Sequence, residues 1–266
     1  MLKIRLMELL CVITLIVFVS LVLDYTGALK KKARLGLLVG LAGLFAGFFL
    51  TLGAVLPGNH FYGTVFSHGS LAQKTVALTF DDGPYPPYTD KILDILKEKN
   101  IKATFFLVGQ NAAKYPETVQ RIFNDGHQLG NHTYTHKDLL KTDAPTIAAE
   151  LEATNQLIYD LTGCKMRIAR PPHGFKDGVI LNLIAAQNLK AIDWSVSGKD
   201  WGKSARAEDI FQRVIKNAKN GSIILLHDGH APDETESRAE TVKATAQIID
   251  ELLLQGYHFV TIDEIL

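Results

Sequence analysis

Apolar positions along this chain follow two different rules. Up to residue 57 they come in unbroken runs, and from residue 75 onward they recur with the spacing of strands and amphipathic helices. Residues 35–56 are 22 positions without a charge, enough to cross a hydrocarbon core about 30 Å thick as one helix. Residues 9–23 make a shorter run of 15 behind Lys3 and Arg5, a layout that also suits the core of a secretory signal peptide. Lys30, Lys31, Lys32 and Arg34 stand between the runs, and the positive-inside rule places such a cluster in the cytoplasm. The expectation is a membrane anchor over residues 1–57, a transmembrane hairpin with both ends outside. A cleaved first run would instead export the basic cluster and return the remaining chain to the cytoplasm.

Beyond the runs, residues 75–80 (TVALTF) read as a first strand. Residues 89–99 follow as a helix that gathers Ile92, Leu93, Ile95 and Leu96 on one face, with Thr89 as its N-cap. Residues 103–108 form the next strand. Pro116 occupies an N1 position ahead of Val119, Ile122 and Phe123, and Gly126 stops that helix from the C′ position. Helices over 144–161, 177–187, 208–218 and 238–255 then alternate with extended stretches over 165–170, 190–195, 222–226 and 259–262. The alternation predicts an α/β domain over residues 75–266 on a mostly parallel sheet, about seven β/α units in all. Residues 58–74, with several Gly, His60 and His68, read as a linker from membrane to domain.

Composition narrows the partners. Lys plus Arg equals Asp plus Glu at 28 each, so the chain lacks the basic excess that supplies non-specific nucleic-acid affinity, and a neutral or weakly charged substrate fits better. Cys11 lies in an apolar run and Cys164 follows a Gly in the α/β part, so no disulfide between them is expected.

Polar residues fall at the carboxyl ends of the expected strands, where α/β sheets carry their functional groups. Asp81 and Asp82 follow the first strand. Two adjacent carboxylates there can divide their work, one binding a cation while the other faces substrate as a base, although an Asp-Asp-Gly run is also an ordinary solvated turn. His132 and His136, four apart, share one face if the segment makes a helical turn, which is a spacing metal sites use; two unrelated histidines would read the same way. Joined to Asp82 they make an Asp, His, His set of the kind that leaves positions open for water in catalytic metal sites.

With three later segments these residues carry a resemblance. Thr79-Phe80-Asp81-Asp82-Gly83, His132-Thr133-Tyr134-Thr135-His136, Arg170-Pro171-Pro172-His173-Gly174, Asp200-Trp201 and Leu225-Leu226-His227 are similar, in order, to the five motifs of the NodB-homology polysaccharide deacetylases, carbohydrate esterase family four. The resemblance covers residues 75–266 and implies a distorted (β/α) barrel. It implies that Asp82, His132 and His136 hold a divalent metal, and that Asp81 is the general base, kept ionised by the metal and by Arg170. His227 would be the general acid and Asp200 the carboxylate that orients it. The backbone N–H of His173 would serve the oxyanion, although the family often has Tyr at this place, which removes any Tyr-specific substrate contact. Trp201 and Leu225 would wall the acetyl pocket. Phe175, Tyr85 and Tyr88 are candidates for sugar contact, and His60, His68, His127, His230 and His258 match no motif position.

The resulting expectation is a metal-dependent enzyme on the extracytoplasmic side of the cytoplasmic membrane that N-deacetylates amino sugars of a cell-envelope polysaccharide. Peptidoglycan stands first, with a lipid-linked or exopolysaccharide amino sugar or a chitooligosaccharide as the alternative. An inactive glycan-binding module would lack a ligand, base or acid, and none is missing here. Zinc is the first expectation for the metal, and cobalt, nickel or iron suits the same ligands.

Overall fold

The computed structural model describes residues 5–26, 33–232 and 236–266. Lys3 and the basic residues Lys30, Lys31 and Lys32 lie outside the described residues. Two helices open the chain, α1 (Leu6–Tyr25) and α2 (Ala33–Val55), and both are long and apolar enough to cross a membrane. Gly47 meets Leu10 and Gly40 meets Val17, so the helices run antiparallel. Small residues permit the approach: a Cβ on Gly43 would lie 2.6 Å from a methyl of Val17.

The remaining elements are β1 (Thr75–Asp81), α3 (Tyr88–Glu98), β2 (Thr104–Leu107), α4 (Gly109–Lys114), α5 (Pro116–Asn124), β3 (Gln128–Asn131), α6 (Ala144–Thr162), β4 (Ile168–Ala169), α7 (Gly178–Ala186), β5 (Lys190–Ala191), β6 (Val196–Ser197), α8 (Ala207–Asn217), β7 (Ser222–His227), α9 (Ala239–Leu254), β8 (His258–Phe259) and α10 (Ile262–Ile265). The strands pair in parallel in the order β5-β4-β3-β2-β1-β7-β6, with β8 joined to the start of β1. The central strands are apolar and buried on both faces, one packed against the helices and the other against an interior cluster of Ala77, Phe106, Ile168, Ile192 and Ile223 closed by Ile262 and Ile265. Among the described residues no pairing joins β5 to β6, so the expected barrel is a parallel half-barrel, open along one seam.

Local signals explain several helix limits. Pro116 stands at N1 of α5, and Gly126, just beyond that helix, has φ +79°. The Asp143 side chain caps α6 by accepting from the Thr146 N–H, and the left-handed Gly163 ends it. Thr89 differs from expectation. The N-cap of α3 is Pro87, and Thr89 lies inside the first turn, where its hydroxyl donates to Asp228 (2.6 Å) and accepts from the Tyr85 N–H (2.7 Å). The stretch read as a linker is packed against the domain. Tyr62 and Val65 are buried, and Phe66 pairs with the chain just after β5, donating to Ala191 (2.9 Å) and accepting from the Asp193 N–H (2.7 Å). It supplies backbone partners beside the open seam, and a bridge this short has no periodicity by which to read it.

Candidate active site

Parallel pairing brings the carboxyl ends of the strands to one edge of the sheet. In the register of β1 with β7, Asp81 lies directly across from His227. Leu107 of β2 pairs with Asn131 of β3, which pairs with Ala169 of β4, so His132 and Arg170 emerge one residue later on the same edge. The five separated motifs thereby converge on one cleft of about 800 Å³, lined among others by Asp81, Asp82, His132, His136, His173 and His227.

Asp82, His132 and His136 place one ligand atom each within 4.8 Å of one another. The Oδ1 of Asp82 lies 3.3 Å from Nε2 of His132 and 3.1 Å from Nε2 of His136, yet it is buried and closes no hydrogen bond. An orphaned carboxylate oxygen facing two imidazole nitrogens fits a cation-binding site. The outer contacts agree: Nδ1 of His132 is 2.7 Å from the Arg170 carbonyl, so it carries the proton and leaves Nε2 free as a ligand. Burial opposes ionisation of Asp82, but the His136 and His227 charges prevail and hold its pKa well below the usual carboxylate range. For His136 burial is likewise outweighed, by the Asp82 charge, and its pKa is raised.

The two histidines do not share a helical turn. Residues 132–138 form a loop after β3 in which Thr133 and His136 have positive φ, 65° and 57°. Side chains from α6 hold that loop: Glu150 accepts from the Tyr134 and Thr135 N–H groups (2.9 and 2.6 Å). Asp82 also has positive φ (71°), as does His173 (61°). Backbone strain thus collects at three expected site residues and nearby Thr133, as it does in functional loops.

Asp81 is separated from the ligand set by a different partner. Arg170 donates to its Oδ1 at 2.6 Å and to Thr79 at 2.9 Å, while Oδ2 stays on the cleft side, 3.7 Å from Nε2 of His132. The guanidinium is fully buried over the Phe106 ring. Across the cleft, His227 Nδ1 donates to Asp200 (2.8 Å), whose other oxygen accepts from the His227 N–H and the Thr241 hydroxyl (2.8 Å each). Burial disfavours the charged imidazole, but the Asp200 charge and hydrogen bond win, with Asp82 and Asp81 adding, and the His227 pKa is pushed up to about 9. Asp200 itself is lowered, its burial outweighed by His227.

Trp201 meets the His227 ring edge to face at 5.4 Å, and Leu225 is buried in the cleft floor. Phe175 also lines the cleft, whereas Tyr85 and Tyr88 are not among its described lining; Tyr85 stacks on Tyr88 and packs on His230. His60, His68 and His258 are exposed, and His127 is buried with its pKa lowered by burial to about 4. Sequence reasoning missed Trp194, which lines the cleft against Gly174, and the buried pair Lys176–Asp193 behind it. Asp193 and Trp194, just past β5, were the available signal.

A family model described as polysaccharide deacetylase matches residues 68–192. Among curated proteins, a peptidoglycan-N-acetylglucosamine deacetylase of Bacillus cereus is 40% identical over 204 residues, covering 76% of this chain and 71% of that protein. A chitooligosaccharide deacetylase of Azorhizobium caulinodans is 34% identical over 70% of this chain and 91% of its own length. A crystal structure of a peptidoglycan N-acetylglucosamine deacetylase in complex with an N-oxidanyl-benzamide superposes with a TM-score of 0.72 at 38% identity, covering 76% of this chain and 92% of that one.

Proposed function

Because the chain belongs to the polysaccharide deacetylase family and is an amide hydrolase acting on N-acetyl groups, we propose that it removes acetyl from N-acetylated amino sugars of peptidoglycan at the outer face of the cytoplasmic membrane. The observation that carries the chemistry is the pairing of Asp81 with His227 across β1 and β7, with the unpartnered Asp82 oxygen beside them. Asp82, His132 and His136 would hold the divalent ion, zinc before cobalt, nickel or iron. Such an ion supplies Lewis acidity, lowering the pKa of water and polarising the acetyl carbonyl.

This chain's residues do the rest. Asp81 takes a proton from the attacking water on Oδ2, while Arg170 fixes Oδ1 and keeps the carboxylate from turning away. Water oxygen bonds to the acetyl carbon, and the His173 N–H donates to the resulting oxyanion. His227 gives the proton on Nε2 to the sugar nitrogen as the C–N bond breaks, so acetate and a free amine leave. Asp200 holds the imidazole charged and aimed. Trp201 and Leu225 bound the space for the acetyl methyl.

The membrane location is supported by the docking of the hairpin. Arg5, ahead of α1, and residues 54–58, at the end of α2, both touch the catalytic domain, so both ends lie on its side. Arg5 is paired with Asp177 there, which leaves the 30–34 cluster to set orientation. A second reading, action on a chitooligosaccharide, is favoured by the similarity to the Azorhizobium protein. Acetate release from intact peptidoglycan, chitooligosaccharides and a lipid-linked amino sugar, measured side by side with purified protein and added metal, decides between them. Release from none would overturn the proposal.

A further inference from the structure

Six residues after Arg170 the chain makes a set of contacts that the reaction above does not use. Lys176 is completely buried, and its ammonium is 2.7 Å from Asp193, also completely buried. It donates as well to the Leu56 carbonyl (2.9 Å) and the Gly174 carbonyl (3.1 Å), and its own N–H donates to Ala54 (3.0 Å). The Asp193 oxygen that meets Lys176 accepts from the Gly58 N–H at 2.8 Å. Lys176 therefore ties the end of α2 to the loop that carries His173.

The next residue does the same for α1. One oxygen of Asp177 caps α7, accepting from Val179 (3.0 Å) and Ile180 (2.9 Å). The other faces Arg5 Nε (3.2 Å) and the Leu6 N–H (3.3 Å), and Arg5 also donates to the carbonyls of Leu139 and Leu140, three and four residues past His136. Both apolar helices thus end on loops that leave the catalytic edge of the sheet. Asp193 reaches the site a second way, since its carbonyl accepts from Arg170 (3.0 Å), the residue that holds Asp81.

The geometry points to Lys176 and Asp177 as positioning residues that seat the oxyanion loop His173–Gly174 on the ends of the membrane hairpin, making the hairpin part of the catalytic machinery. This rests on the proposed deacetylase reading for the role of His173. A buried ion pair is weak evidence for stability alone, because hydrophobic replacements of such pairs are often neutral or better. What this pair does supply is a fixed place for a loop whose His173 and Gly174 both hold positive φ. A loop displaced by about 1 Å costs a reaction up to about 10²-fold without altering substrate affinity in proportion.

The test uses the full chain in detergent micelles or nanodiscs. The variant Lys176→Met with Asp193→Asn removes both charges together, so no lone charge stays buried, and Arg5→Gln loosens α1 by a milder change that decides the matter if the first does not fold. Amide hydrogen exchange, metal content, kcat and KM for acetate release are read on the same preparations. The expected result is faster exchange at Gly174 and Phe175, kcat lowered by about 10- to 10²-fold, and KM and metal stoichiometry unchanged. Wild-type exchange in this loop, or wild-type kcat with a loosened loop, overturns the inference. If wild-type protein releases acetate from no glycan, the deacetylase reading falls on its own, and the exchange data still decide whether the hairpin holds the loop.

Discussion

Replacing Asp200 by Asn should move the alkaline limb of the pH–rate profile by a calculable amount. As the proposed general acid, His227 must be protonated, so the rate is lost as pH rises through its pKa. That pKa is pushed up to about 9, mainly against burial by Asp200, which contacts both the ring and the N–H of His227. Without the carboxylate charge it falls toward the ordinary value of about 6.5, with Asp82 and Asp81 still offsetting part of the burial. The limb should then move down by about 2 pH units or more. One unit below the wild-type limb, about 90% of wild-type His227 is protonated against about 3% for a group 2.5 units lower, a roughly 30-fold difference that shrinks toward unity as the pH falls below about 6. Bound metal adds positive charge to both proteins, lowering both limbs and leaving their separation. The same linkage has a sign in stability: a raised histidine pKa stabilises the fold below about 6.5 and the contribution is lost as pH rises through about 9. Initial rates of acetate release from pH 5 to 10, on protein of equal metal content, give the answer. Coincident alkaline limbs would refute the assignment of His227 and Asp200 as the acid and its partner.

Other outcomes follow from the same geometry. Asp82→Ala should lose metal and activity together, whereas Asp81→Asn should keep near-stoichiometric metal, because its retained oxygen can still accept from Arg170, and lose about 10²–10⁴ in kcat; metal analysis beside initial rates separates the two. A chain beginning at residue 70 should be less stable than one beginning at residue 58 by roughly 1.5–3 kcal/mol, the worth of burying one large side chain such as Val65; equal urea midpoints would contradict this. Protease added to sealed cells or spheroplasts should reach the domain, while labelling of residues 30–34 should require permeabilisation, and the opposite pattern would invert the topology.

Some of this protein is legible in the sequence because the physics involved is local. Uncharged runs long enough to cross a bilayer, TVALTF as a strand buried on both faces, and Pro116 and Gly126 around α5 depend on neighbours a few residues away. That Asp81, Asp82, His132, Arg170, Asp200 and His227 would meet was also readable, because each lies at or within three residues of a strand end, and parallel strands collect such ends on one edge. Tertiary structure decided what depends on distant partners. His132 and His136 suggested a helical turn by their spacing, but Glu150, from a helix that begins later in the chain, pins them in a loop with left-handed residues that propensity disfavours. Thr89 looked like a cap until Asp228, 139 residues away, claimed its hydroxyl. Residues 58–74 looked like a linker because, among the described residues, their strand pairings are single bridges, to Ile192 and Ser222. Lys176 and Asp177, charged residues that no local pattern marks as buried, are buried because Asp193, Arg5 and the backbone of Ala54, Leu56 and Leu6 close around them. A charge goes inside a protein only where partners from elsewhere in the fold meet it, and only the folded chain shows which ones do.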